Sequence, residues 1–104
     1  MALATTAVGN TATTVYTSSG NSAVTFASFT NYSGSSATIT IHVVPSGDTA
    51  GDGNIVIKDL SINAADTHQL YAGGEKLLLE NGDTVQATAS ATSTFTAVVS
   101  YTAI

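Results

Sequence analysis

The chain has 104 residues, a hydrophobic fraction of 43%, charged residues at only 9%, a net charge of −5 and no cysteine, which suits a single domain held by packing and hydrogen bonds, without disulfides. Arginine is absent and Lys58 and Lys76 are the only cationic side chains, so there is no basic cluster to release counterions from nucleic acid or to hold an anionic membrane surface. No apolar run approaches the roughly 18 residues needed to cross a bilayer.

The first ten residues, "MALATTAVGN", are uncharged and mildly apolar. They lack the positive start and continuous apolar run of a secretory signal. They are expected as an N-terminal arm (residues 1–10) ahead of one β domain (residues 11–104). Such an arm either frays or adds itself to a neighbour's sheet edge.

Next comes a weak strand, Thr11 to Ser18. In "AVTFASFTNY", Val24 and Phe26 share one parity and Phe29 takes the other, which predicts a bulge or a bend between sheets. In "ATITIHVVP", Ile39, Ile41 and Val43 alternate with Thr38, Thr40 and His42, and Pro45 closes the strand. "NIVIKDLSI" changes parity between Ile57 and Leu60, and a short strand covers Thr67 to Ala72.

Leu77 to Leu79 reads as an inner strand. Asn81-Gly82 tolerates positive φ, so it is expected to turn that strand into a hairpin partner, Val85 to Ala91. In the partner Val85, Ala87, Ala89 and Ala91 alternate with hydroxyl and amide residues, and the small alanines predict close approach of a second sheet or subunit. In the last strand, Phe95, Ala97, Val99 and Tyr101 share a face. Turn signals every eight to twelve residues or so make the class all-β: an antiparallel β-sandwich, jelly-roll or Ig-like, of about 7–8 strands.

Little in the chain points to reactive chemistry. "GDTAGDGN" contains Asp48, Asp52 and Asn54, but their spacing does not match a calcium loop, which alternates oxygen ligands and closes on a bidentate carboxylate. His42 and His68 have no Ser/acid partners in an evident triad, and there is no G-x-S-x-G elbow. Seven acids scattered through turns form no obvious glycosidase pair. There is no Trp, and Tyr16, Tyr32, Tyr71 and Tyr101 fall on separate segments, so the expectation is that each packs its ring and exposes its hydroxyl. The sequon Asn31-Tyr32-Ser33 reads as chance. Catalytic residues, cofactor and metal are all expected to be absent.

The C-terminal third does carry a pattern. Leu77, Leu79, Gly82, Asp83 and Val85, then Val98 to Tyr101, together with the middle stretch "FTNYSGSSATITIHVVPSG", resemble a family of small virion proteins of tailed bacteriophages. The likeness runs from about residue 23 to 104. It implies a β-sandwich, commonly a trimer, attached to a larger protein lattice, and it brings no catalytic residues with it. The first twenty or so residues do not match.

The expectation is therefore a non-enzymatic virion structural protein made in the host cytoplasm. Its implied role is capsid cement or decoration, binding the major capsid protein or another virion protein and bridging neighbouring subunits. The arm, through Ala2, Leu3, Ala4 and Val8, is expected to contribute to attachment. A tail, neck or fibre-associated protein and a host-surface glycan-binding module are the alternatives.

Overall fold

The computed structural model describes residues 2–70 and 77–104. Nine strands are present among them: β1 (Ala2–Val8), β2 (Thr13–Thr17), β3 (Ser22–Asn31), β4 (Ala37–Val44), β5 (Ile55–Ile62), β6 (Thr67–Gln69), β7 (Leu77–Leu79), β8 (Thr84–Ala89) and β9 (Phe95–Ala103). A single 3-10 turn, Asp52–Asn54, precedes β5. All strand pairings are antiparallel.

The strands form two packed sheets. The first runs β1-β9-β3, and β6 and β7 then pair with successive stretches of the far side of β3. The second runs β2-β8-β4-β5. With β6 and β7 sharing one position, this is the strand order of a jelly roll, two Greek keys folded over one core. The sandwich expectation holds, and topology selects between the two forms that the sequence leaves open.

The core follows from period two. Val85, Ala87 and Ala89 of β8 and Phe95, Ala97 and Val99 of β9 point into one core, all fully or almost fully buried with Phe29, Ile39 and Ile41. The small alanines lie within this core. Three strands need a bulge to keep their apolar residues inward. In β2 the register against β8 shifts between Thr14 and Tyr16, so Val15 and Tyr16 are both buried.

In β3 the shift lies at Thr25, between Val24 and Phe26. The predicted parity change is real but falls earlier: Val24 points inward with Ala27 and Phe29, while Phe26 lies on the outer face. In β5 the segment Lys58-Asp59 bulges opposite Thr40, with Asp59 at φ +48. Ile57 and Leu60 thereby both reach the core.

Two sequence expectations are overturned. β7 and β8 are not a hairpin: β7 pairs with β3 in the first sheet, and β8 lies between β2 and β4 in the second. The Asn81-Gly82 turn is a crossing between sheets. Nor is β7 an inner strand, since Leu79 is buried but Leu78 is 67% exposed. The short strand at Thr67 is described only as far as Gln69; Tyr71, Ala72 and the Gly73-Gly74 turn lie outside the described residues.

Candidate interaction surface

Directly opposed residues in an antiparallel sheet share a face, so the register gives the outer face of the first sheet row by row. Leu3, Ser100 and Phe26 form one row. Thr5, Val98, Ser28 and Gln69 form the next, followed by Ala7, Thr96, Thr30 and Thr67. The Thr30 and Thr67 hydroxyls lie 2.8 Å apart across the last of these. Beyond the β3 bulge, Thr102, Ala23 and Leu78 complete the face.

No Asp, Glu, Lys or Arg occurs in β1, β3, β6, β7 or β9. Among the described residues the charged side chains lie in loops, in the 3-10 turn at Asp52, and at Lys58 and Asp59 on β5. The outer face of the first sheet is therefore hydroxyl, amide and hydrocarbon only. Leu3 at 69% and Leu78 at 67% exposure stand at its two margins. Bringing such a face against another protein removes no ion from water, which keeps the desolvation cost low.

Of the residues expected to attach, Ala2, Leu3, Ala4 and Val8, neither Ala4 nor Val8 reaches this surface, and the side chain of Ala2 lies outside those described. The segment expected as an arm is β1, in unbroken register with β9 from Ala2 opposite Tyr101 to Val8 opposite Phe95. It has added itself to the molecule's own sheet. Leu3 faces outward, Ala4 packs against the core, and Val8 is 2% exposed within it. Removing the segment would uncover the edge of β9 and open the core at Val8, so a detachable tether is not what the geometry provides. Strand character was hidden by the threonines and alanines of "ALATTAV", which place just one large apolar residue, Val8, inward.

The remaining sequence candidates are dispersed or occupied. The Pro45–Asn54 loop lies beside the outer face of the second sheet, around an open depression of about 350 Å³ lined by Pro45, Asp48, Thr49, Gly51, Gly53 and Asn54. The Asn54 amide organises this loop. Its Oδ1 accepts from the Gly51 N–H at 3.0 Å and lies 2.8 Å from His42 Nδ1, and its Nδ2 donates to the Thr49 carbonyl at 3.0 Å. Those polar atoms serve the loop, and no group of three or more potential metal-ligating His, Cys, Asp or Glu side chains occurs among the described residues.

His42 is buried at 8% exposure and lies in β4 of the second sheet, whereas His68 is half-buried opposite Phe29 in the first. The structure does not bring them together. Tyr16 departs from the expected pattern of exposed hydroxyls. It is buried, its ring centroid lies 4.3 Å from that of Tyr101, and its hydroxyl donates to Ser22 Oγ at 2.9 Å. Tyr32 is 53% exposed, and Tyr71 lies outside the described residues.

The fold and its surface define a small jelly-roll sandwich with one uncharged sheet face. Comparison with family models, curated proteins and solved structures found no match to this chain.

Proposed function

We propose that the protein is a structural component of a bacteriophage virion: a capsid cement or decoration protein that binds the capsid surface and bridges neighbouring subunits. The observation that carries this reading is the uncharged outer face of the first sheet, flanked by Leu3 and Leu78. The resemblance of residues 23 to 104 to small phage virion proteins supplies the setting.

A rigid two-sheet body offers a preformed surface, so little conformational entropy is lost on docking. A protein that binds the assembled shell and not its dispersed subunits stabilises the shell by mass action, in proportion to the logarithm of its free concentration over its dissociation constant. Exposed hydrocarbon and hydroxyl groups give such a contact weak salt dependence, because few screened charges are involved.

Quantitative protein analysis of purified particles tests this. The expected result is a copy number that scales with the capsid lattice, together with shells that dissociate at lower temperature when the protein is stripped off. A copy number limited to a single vertex or tail would move the protein to the neck or tail. Its absence from particles would end the virion reading.

A further inference from the structure

The four edges of the two sheets are not alike. β5 exposes Lys58 and Asp59 and shifts register twice against β4. β2 has five residues and a bulge. β6 has three residues, and β7 has three among the described residues. Charge, bulges and brevity are the devices by which natural sheets keep their edges from pairing with other chains. β1 has none of them. Its seven residues run in register with β9 without a shift, contain no charge, proline or glycine, and have no second strand partner among the described residues.

We propose that the free edge of β1 pairs with β1 of a second copy of this chain, antiparallel, about a two-fold axis that passes through Thr5 perpendicular to the sheet. The register follows from the two faces of the strand. Leu3, Thr5 and Ala7 point outward with Ser100, Val98 and Thr96, while Ala4 and Val8 point to the core. Opposed residues must match face to face, because a slip of one residue would turn outward side chains toward the core. Centring on Thr5 satisfies this and also pairs the whole strand: Ala2 with Val8, Leu3 with Ala7, Ala4 with Thr6, and Thr5 with itself.

A second copy is the occupant that the edge favours. It supplies a strand of identical length and face pattern, as an isologous contact requires. Its net charge of −5 does not oppose the approach locally, because none of the seven acids lies in β1, β3 or β9. Pairing makes one continuous outer face from two uncharged ones, with each Leu3 covered from the side by Ala7 of the other copy. A two-fold contact of this kind builds a dimer, in place of the trimer that the family resemblance implies. It stands on the edge geometry alone and is read in solution, separately from the particle analysis above.

The test uses the full chain, which has no native cysteine. Sedimentation equilibrium should give twice the 10.4 kDa chain mass. Directly opposed residues of antiparallel strands have Cα atoms about 4.5–5.5 Å apart, within the Cα separation that a disulfide spans. Thr5→Cys should therefore oxidise to a linked dimer, whereas Leu3→Cys, facing Ala7, should not. The double variant Leu3→Glu/Ala7→Glu sets carboxylates against each other and should lose the doubled mass; Leu3→Lys/Ala7→Glu sets opposite charges together and should keep it. Circular dichroism confirms that each variant is folded, and Thr5→Cys, nearly the size of threonine, reads the contact even where the charged variants fail to fold. A single-chain mass at every concentration with no Thr5→Cys linkage would overturn the proposal. So would a doubled mass with Thr5→Cys unlinked or with the paired carboxylates tolerated, since the contact would then lie elsewhere.

Discussion

The Asn31 side chain at the end of β3 donates from Nδ2 to the Ile62 carbonyl at the end of β5, 3.0 Å away, and so ties one sheet to the other. The same Nδ2 donates to the Ser35 carbonyl at 2.9 Å, while Oδ1 accepts from the Ser33 N–H at 3.0 Å and from its hydroxyl at 2.6 Å. Asn31 is 0% exposed, and its amide group is fully committed. The sequon at this position is thus a structural corner. Both amide hydrogens are used, which leaves nothing for a sugar to attach to in the folded chain.

The first prediction follows from that commitment. Asn31→Asp loses both donors and buries a carboxylate; Asn31→Ala takes this donor from the buried Ile62 carbonyl and the Oδ1 acceptor from the Ser33 N–H. Either change should cost about 2–4 kcal/mol, the penalty of unsatisfied buried groups added to the lost bonds. In a domain of this size that lowers Tm by roughly 10 °C or more. Scanning calorimetry measures it, and a loss below about 1 kcal/mol would mean that the sheets are held together elsewhere.

A second prediction concerns the crossing between β7 and β8. Gly82 has φ +89, and a Cβ there would come 2.5 Å from Ser46 Oγ and 3.0 Å from Ser46 Cβ. Gly82→Ala combines a left-handed backbone with a steric overlap and should cost about 2–3 kcal/mol. Ser46→Gly removes the overlap but not the backbone strain. The double variant should recover part of the loss, giving a coupling energy of about 1 kcal/mol in a mutant cycle by urea denaturation. Strict additivity would show that backbone strain acts alone.

That crossing also shows where sequence reading stops. The alternation in β8 and β9 is local, and both strands lie where period two puts them. The bulges in β3 and β5 were legible because an apolar residue of the wrong parity must be brought back to the core. An Asn-Gly turn, however, has the same chemistry in a hairpin and in a crossing between sheets. What decides is distant. The Gly20 N–H donates to Asn81 Oδ1 at 2.8 Å, the Gly82 N–H donates to the Ser18 carbonyl at 2.9 Å, and the Ser46 N–H donates to Asp83 Oδ1 at 2.9 Å. The turn is docked on the loops that follow β2 and β4, and the two strands leave it into different sheets. No local pattern encodes those partners. The uncharged face was legible as composition, but only the register shows that Leu3, Phe26 and Val98 share it.

The β5 bulge yields a third prediction. Asp59 has φ +48, its N–H donates to Thr40 Oγ1 at 3.0 Å, and the Thr40 hydroxyl donates back to Asp59 Oδ1 at 3.2 Å. Asn tolerates the left-handed region and can accept the same hydroxyl, so Asp59→Asn should change stability by less than about 0.5 kcal/mol. Asp59→Val loses the acceptor and places a β-branched residue at positive φ, costing about 1–3 kcal/mol. Equal effects from the two substitutions, measured by chemical denaturation, would show that the bulge backbone is not under this constraint.

The last prediction concerns a buried chain of hydroxyls. Ser18 donates to the Gly20 carbonyl at 2.7 Å, so the 2.6 Å contact between Ser18 and Ser22 must use the Ser22 hydrogen. Ser22 in turn accepts from Tyr16 at 2.9 Å. Each hydroxyl has one hydrogen, and the direction of the chain is therefore fixed: Tyr16 to Ser22 to Ser18 to Gly20, joining β2 of the second sheet to β3 of the first. Tyr16→Phe removes only the head donor and should cost about 1 kcal/mol, since Ser22 keeps Ser18 as a partner. Ser22→Ala breaks the chain in its middle, leaves the buried Tyr16 hydroxyl without its acceptor, and should cost about 2 kcal/mol or more. Combined, the two should cost less than their sum, because the phenylalanine removes the hydroxyl that the alanine would strand. Urea unfolding at constant m reads all three variants, and a Tyr16→Phe loss exceeding that of Ser22→Ala would contradict the assigned direction.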